Sequence, residues 1–70
     1  MDSSQEHNLG QNIKKLRLKH GLSQDELARK AGIPYTTLTK VETSVIKKPS
    51  VFIVAKLAKT LGVSIENLLA

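Results

Sequence analysis

Four residues of the segment YTTLTKVE carry side chains suited to reading a polar, charged surface. Tyr35 brings a phenol, Thr36 and Thr39 each a hydroxyl and a methyl, and Lys40 an amine. At about 100° per residue all four fall on one side of a helix, and Leu38 and Val41 fall on the other. Such groups can meet base edges and phosphates in a major groove, with a methyl set against thymine. An ordinary solvated face of Thr and Lys has the same composition, so the neighbouring residues have to decide.

The stretch Leu22 to Glu42, LSQDELARKAGIPYTTLTKVE, places this face on the second of two short helices. Ser23 followed by Glu26 reads as a capping box, which starts a helix at about Gln24. Leu27, Ala28 and Ala31 continue its apolar side, and Gly32 ends it by supplying the positive φ of a helix C-terminus. Pro34 suits the first position of a new helix, and Tyr35 to Glu42 follow without a breaker. Two short helices about one glycine turn are the sequence form of a helix-turn-helix.

The remaining chain supports that pair. Met1 to His7 has no periodicity and reads as a frayed tail, leaving one domain over residues 8–70. Leu9, Ile13 and Leu16 recur at helical spacing and predict a first helix from Asn8 to His20, stopped by Gly21; Leu18 lies off the apolar stripe. Thr43 to Pro49, TSVIKKP, has no period and reads as a loop. A fourth helix opens at Pro49 or Ser50, with Val51, Val54, Ala55, Ala58 and Leu61 on one face, Leu57 widening it, and Gly62 closing it. Ser64 caps a last helix, Ile65 to Leu69. The expectation is five helices and no strand.

Seventy residues give a single domain, near the size at which a purely apolar core barely suffices. Without cysteine, neither disulfides nor thiolate metal sites can staple it. No apolar run approaches the ~20 residues of a membrane span, and the first seven residues lack a signal-peptide core, so a soluble, cytoplasmic protein is expected. The net charge is +5, and residues 8–70 hold 11 basic against 4 acidic groups. That balance favours a polyanionic partner, although many basic domains merely stay soluble by it. With Tyr35 and Phe52 the only aromatics, a stacking platform for single strands or RNA is not expected, and duplex DNA fits better.

Taken together, LGQNIKKLRLKHGLSQDELARKAGIP, VE, KKPS and AKLAKTLGVSIENLL resemble the lambda-repressor-like, or XRE-type, family of bacterial and phage transcription regulators. The resemblance covers about Leu9 to Leu69. It implies an all-α, compact five-helix domain whose third helix enters the major groove, two copies commonly sharing a palindromic operator. Gln24 matches the family Gln that opens helix two and touches a phosphate or steadies the reading helix; a helix N-terminus suits an anion. Tyr35, Thr36, Thr39 and Lys40 match the base-reading positions. Thr37 sits nearer the core boundary and is expected as a phosphate ligand or a packing residue. Arg17 and Glu42 match a structural ion pair behind the motif, with a phosphate contact from Arg17 as a second possibility. Lys47 and Lys48, followed by the helix-four N-terminus at Ser50, are expected to make a phosphate clamp, with a solvated charge pair as the plainer alternative.

Two departures from the pattern stand out. Ser44 occupies a position where most relatives carry Gly, and the loop to Pro49 is about one residue longer than the common form. If Ser44 is left-handed, it costs ~1 kcal/mol. Phe52 lies off the core stripe and Ile65 and Leu69 leave partly exposed faces, so these three mark either a dimer surface or, for Phe52, a fold-back over Leu9 or the loop. A two-fold dimer would set two reading helices about one DNA turn apart, ~34 Å.

His7 and His20 are too isolated to bind a metal, no residue set forms a catalytic constellation, and no cofactor or small-molecule ligand is called for. An enzyme is not expected. The expected function is sequence-specific binding of double-stranded DNA by a repressor. The rival is a protein-interaction module such as an antitoxin or adaptor, which would tolerate acidic residues on the third helix; none occurs between Gly32 and Val41.

Overall fold

The computed structural model describes residues 4–70. Five α-helices follow in order: α1 (Ser4–Lys19), α2 (Gln24–Ala31), α3 (Tyr35–Glu42), α4 (Val51–Leu61) and α5 (Ile65–Leu69), with no strand among the described residues. None of these helices is long and apolar enough to cross a membrane.

The ends follow from local chemistry. Ser23 Oγ accepts the Glu26 N–H at 3.1 Å while Glu26 Oε1 accepts the Ser23 N–H at 2.8 Å, so two otherwise unpaired amides of α2 are satisfied. That bond to the Ser23 backbone, and next its side chain, hold the Glu26 carboxyl below its usual range. An acid depressed by folding stabilises above its unfolded pKa, so this cap weakens as pH falls through the folded value. Ser50 and Ser64 cap α4 and α5 through the Ile53 and Asn67 amides. Gly32 and Gly62, both at φ 72°, close α2 and α4.

Helix α1 begins at Ser4, four residues ahead of Asn8. Of the expected tail, residues 1–3 lie outside the described residues and the rest joins α1. No breaker stands between Ser4 and Asn8, and adding turns to a formed helix avoids the cost of nucleation. Pro34 is also one place earlier than expected: with ψ 141° it is the cap residue before α3, its carbonyl accepting from Leu38 N–H at 3.1 Å.

One core joins all five helices. It is built from Leu9 and Ile13 of α1, Leu27, Ala28 and Ala31 of α2, Ile33, Leu38 and Val41 around α3, Val54, Leu57, Ala58 and Leu61 of α4, and Leu68 of α5. Helix α4 is rotated from the expected face: Leu57 is fully buried, while Val51 is exposed and Ala55 half-buried. Its four buried positions, Val54, Leu57, Ala58 and Leu61, belong to the core, and α4 packs on α2, α5 and α1. Polar ties join α1 and the turn after it to α5 and α4. The Asn12 amide donates to Leu68 O at 2.8 Å, and His20 Nε2, expected as a plain surface group, donates to Leu61 O at 3.0 Å.

The loop after α3 has its own anchor. Ile46 N–H donates to Lys40 O at 3.0 Å, and its half-buried side chain packs on the core. This bend places Ser44 at φ 65°, in the left-handed region where a Cβ crowds the backbone. Relief of about 1 kcal/mol in the fold is partly offset by the freedom glycine adds to the unfolded chain, so Ser44→Gly should gain about 0.5 kcal/mol. A urea titration of the two proteins checks this; a drop in stability would mean the serine is not strained.

Candidate nucleic-acid interface

Packing fixes which side of α3 is free. Leu38, Val41 and Glu42 are buried, and this leaves Tyr35, Thr36 and Lys40 exposed, with Thr37 and Thr39 half-buried at the edges. Tyr35 stands at the front of the helix, 49% exposed despite its ring, and Pro34 before it carries no N–H to satisfy. The four residues singled out for reading therefore share the outward side. Thr39 Oγ1 donates its proton to Thr36 O at 2.9 Å, so it presents lone pairs and a methyl outward rather than a donor. Thr43, which the sequence does not mark, closes the last turn by donating to Thr39 O at 2.8 Å.

Behind α3 lies a buried ionic clamp. Arg17 Nε meets Glu42 Oε2 at 2.7 Å and Nη2 meets Oε1 at 3.1 Å, a bidentate pair, while Nη1 donates to Leu22 O at 2.9 Å. Gln24 Nε2 donates to Glu42 Oε1 at 3.0 Å. Arg17 and Glu42 are 7% and 8% exposed, and no buried side-chain nitrogen or oxygen among the described residues lacks a partner. The clamp thus binds α1, the turn before α2, the start of α2 and the end of α3 into one unit. Arg17 has turned inward and gives three of its five N–H donors to Glu42 and Leu22, which fits the structural ion pair expected of it. Gln24 steadies α3, with one amide N–H left over from its bond to Glu42.

Lys47 and Lys48 are exposed on the loop just before α4. Ser50 accepts the Ile53 amide through Oγ, which leaves its own O–H free to donate. Two amines, a hydroxyl and the start of α4 therefore stand together and suit a phosphate. Phe52 is 74% exposed, which rules out its folding back over Leu9 or the loop. A further position that the sequence does not announce is Gly10, buried where α1 crosses the end of α3: a Cβ there would stand 2.5 Å from Val41 O and 2.8 Å from Glu42 O. A glycine inside an otherwise helical pattern was the available signal.

A family model described as helix-turn-helix matches residues 13–68. The chain belongs to the lambda-repressor-like, XRE-type helix-turn-helix family. It is 38% identical over 61 residues to the HTH-type transcriptional regulator SinR of Bacillus subtilis, spanning 87% of this chain and 55% of that one, so it covers about half the length of this curated relative. Among solved structures it is similar to the N-terminal DNA binding domain of SinR from Bacillus subtilis, with a TM-score of 0.89 and 38% identity over 91% of this chain and 93% of that one. It is likewise similar to the master regulator for biofilm formation SinR in complex with DNA, with a TM-score of 0.86 and 37% identity over 89% and 98% of the two chains. Both likenesses span nearly all of the five-helix unit, and the α2–turn–α3 pair lies inside the region that the family model matches.

Proposed function

We propose that this chain binds double-stranded DNA in a sequence-specific manner, as the DNA-binding part of a cytoplasmic transcription regulator that represses by occupying a palindromic operator. The observation that carries the reading is the outward side of α3, which offers Tyr35, Thr36, Thr39 and Lys40 and no acidic residue. Likeness to SinR, a protein solved with DNA, supports it. Helix α3 lies in the major groove. Tyr35 and Lys40 donate, Thr39 accepts, and the threonine methyls meet thymine. Gln24, Thr37, Lys47, Lys48 and Ser50 hold phosphates on either side and set the register. The role is binding rather than catalysis. A protein-interaction module has no comparable support, since it gives no reason for a face without acids beside a cationic loop.

Gripping and reading separate experimentally. Replacing Lys47 and Lys48 together by Ala should weaken binding to every duplex alike and flatten the slope of log K against log salt by about two units, one for each phosphate that is no longer neutralised. Thr36→Ala and Thr39→Ala should instead reorder preference among duplexes at nearly unchanged slope. Fluorescence anisotropy over a salt series measures both. Unaltered preference in the two threonine variants would remove α3 from the reading role.

A further inference from the structure

The outward side of α3 extends one turn past Thr39, to a residue outside the expected reading set. Thr43 caps the helix and is exposed. At about 100° per residue from Tyr35, Thr39 lies at about 40°, Thr36 at about 100°, Lys40 at about 140° and Thr43 at about 80°. Thr43 thus stands in the middle of the outward arc, not at its edge.

What it can recognise depends on where its one proton goes. Thr43 Oγ1 donates to Thr39 O at 2.8 Å, with Lys40 O beside it at 3.5 Å, just as Thr39 Oγ1 donates to Thr36 O at 2.9 Å. Both threonines therefore turn lone pairs and a methyl outward, with no donor. Phosphate oxygens are acceptors, so they gain nothing from such a group. The guanine edge, with N7 and O6, also offers acceptors only. An A·T pair fits, because adenine N6 supplies a donor and thymine supplies a C5-methyl, whereas cytosine in a G·C pair supplies a donor and no methyl. Helix α3 has no Arg, Asn or Gln to take a purine by two bonds at once. Methyl contacts then carry more of the discrimination.

Given the reading that α3 lies in the major groove, on which this rests, we propose that Thr43 is a further specificity-determining residue. With Thr39 it selects A·T pairs through their thymine methyls.

The test takes the duplex that the wild-type chain enriches from a random pool and replaces each thymine in turn by uracil, which removes only the C5-methyl. Fluorescence anisotropy compares wild type with Thr43→Ser, which keeps the hydroxyl and loses the methyl, and Thr43→Val, which keeps a methyl and loses the hydroxyl. Thr36→Ala is the control for reading by α3, and circular dichroism verifies folding. Wild type should bind about fourfold more weakly for each uracil that faces a threonine methyl, the worth of about one buried methyl group. In Thr43→Ser one of these sensitive positions should fall silent while the others remain, and Thr43→Val should keep it. Uracil without effect at every position, the wild-type uracil pattern in Thr43→Ser, or a Thr43→Ser chain weakened alike on every duplex would each overturn the proposal. A preference that shifts in Thr36→Ala, with Thr43 variants that match wild type throughout, overturns it and leaves reading by α3 standing; a wild-type chain that enriches no motif overturns both.

Discussion

Gly10→Ala should lower the stability of the domain by about 2–3 kcal/mol, even though alanine is the better helix former. Elsewhere in a helix the exchange would gain about 1 kcal/mol. Here the new Cβ would sit 2.5 Å from one backbone carbonyl oxygen and 2.8 Å from the next, at the last turn of α3. Backbone cannot swing aside as the tip of a flexible side chain can, so α1 and α3 must move apart. That motion opens the packing of Leu9 and Ile13 against the core. It also pulls on the clamp, because Glu42 is one of the two residues struck. Chemical denaturation gives the number directly, and a stabilised Gly10→Ala protein would show that the two helices do not approach so closely.

Arg17→Met should cost about 3 kcal/mol, because it leaves the Glu42 carboxylate buried with only the Gln24 amide as a partner. The pair is as buried as the core around it, at 7% and 8% exposure, so solvent screening does little to soften the cost. Removing the acid as well should recover much of the stability. In Arg17→Met with Glu42→Leu the desolvated charge is gone, and apolar groups of similar size fill its place. Urea titrations of the single and double variants form the cycle. Equal destabilisation of the single and double variants would mean that packing of the arginine stem, not the unpaired carboxylate, carries the effect.

These two sites mark where the sequence stopped being readable. Whatever depends on a few adjacent residues was legible: Ser23 with Glu26 announces the start of α2, Gly32 and Gly62 announce helix ends, and Ser64 caps α5. The outward side of α3 was legible too, because Leu38 and Val41 leave only one face for the core. Gly10 was not, since its need arises from carbonyls of a helix far along the chain, at Val41 and Glu42. The inward turn of Arg17 was half legible: its place beside an apolar stripe suggested a partner, but only the geometry shows its bonds going to Glu42 and Leu22. The rotation of α4 was hidden because Val51 and Leu57 are both apolar, and which of them faces the core is settled by α2 and α5.

The reading face itself is tested most directly by selecting bound duplexes from a random pool with wild type and with the Thr36→Ala and Thr39→Ala chains side by side. Wild type should enrich one short motif with two-fold symmetry, and each threonine variant should relax or change the preferred base at its own position while the rest of the motif stays. A pool that shows no enrichment, or an identical motif from all three chains, would contradict sequence reading by α3.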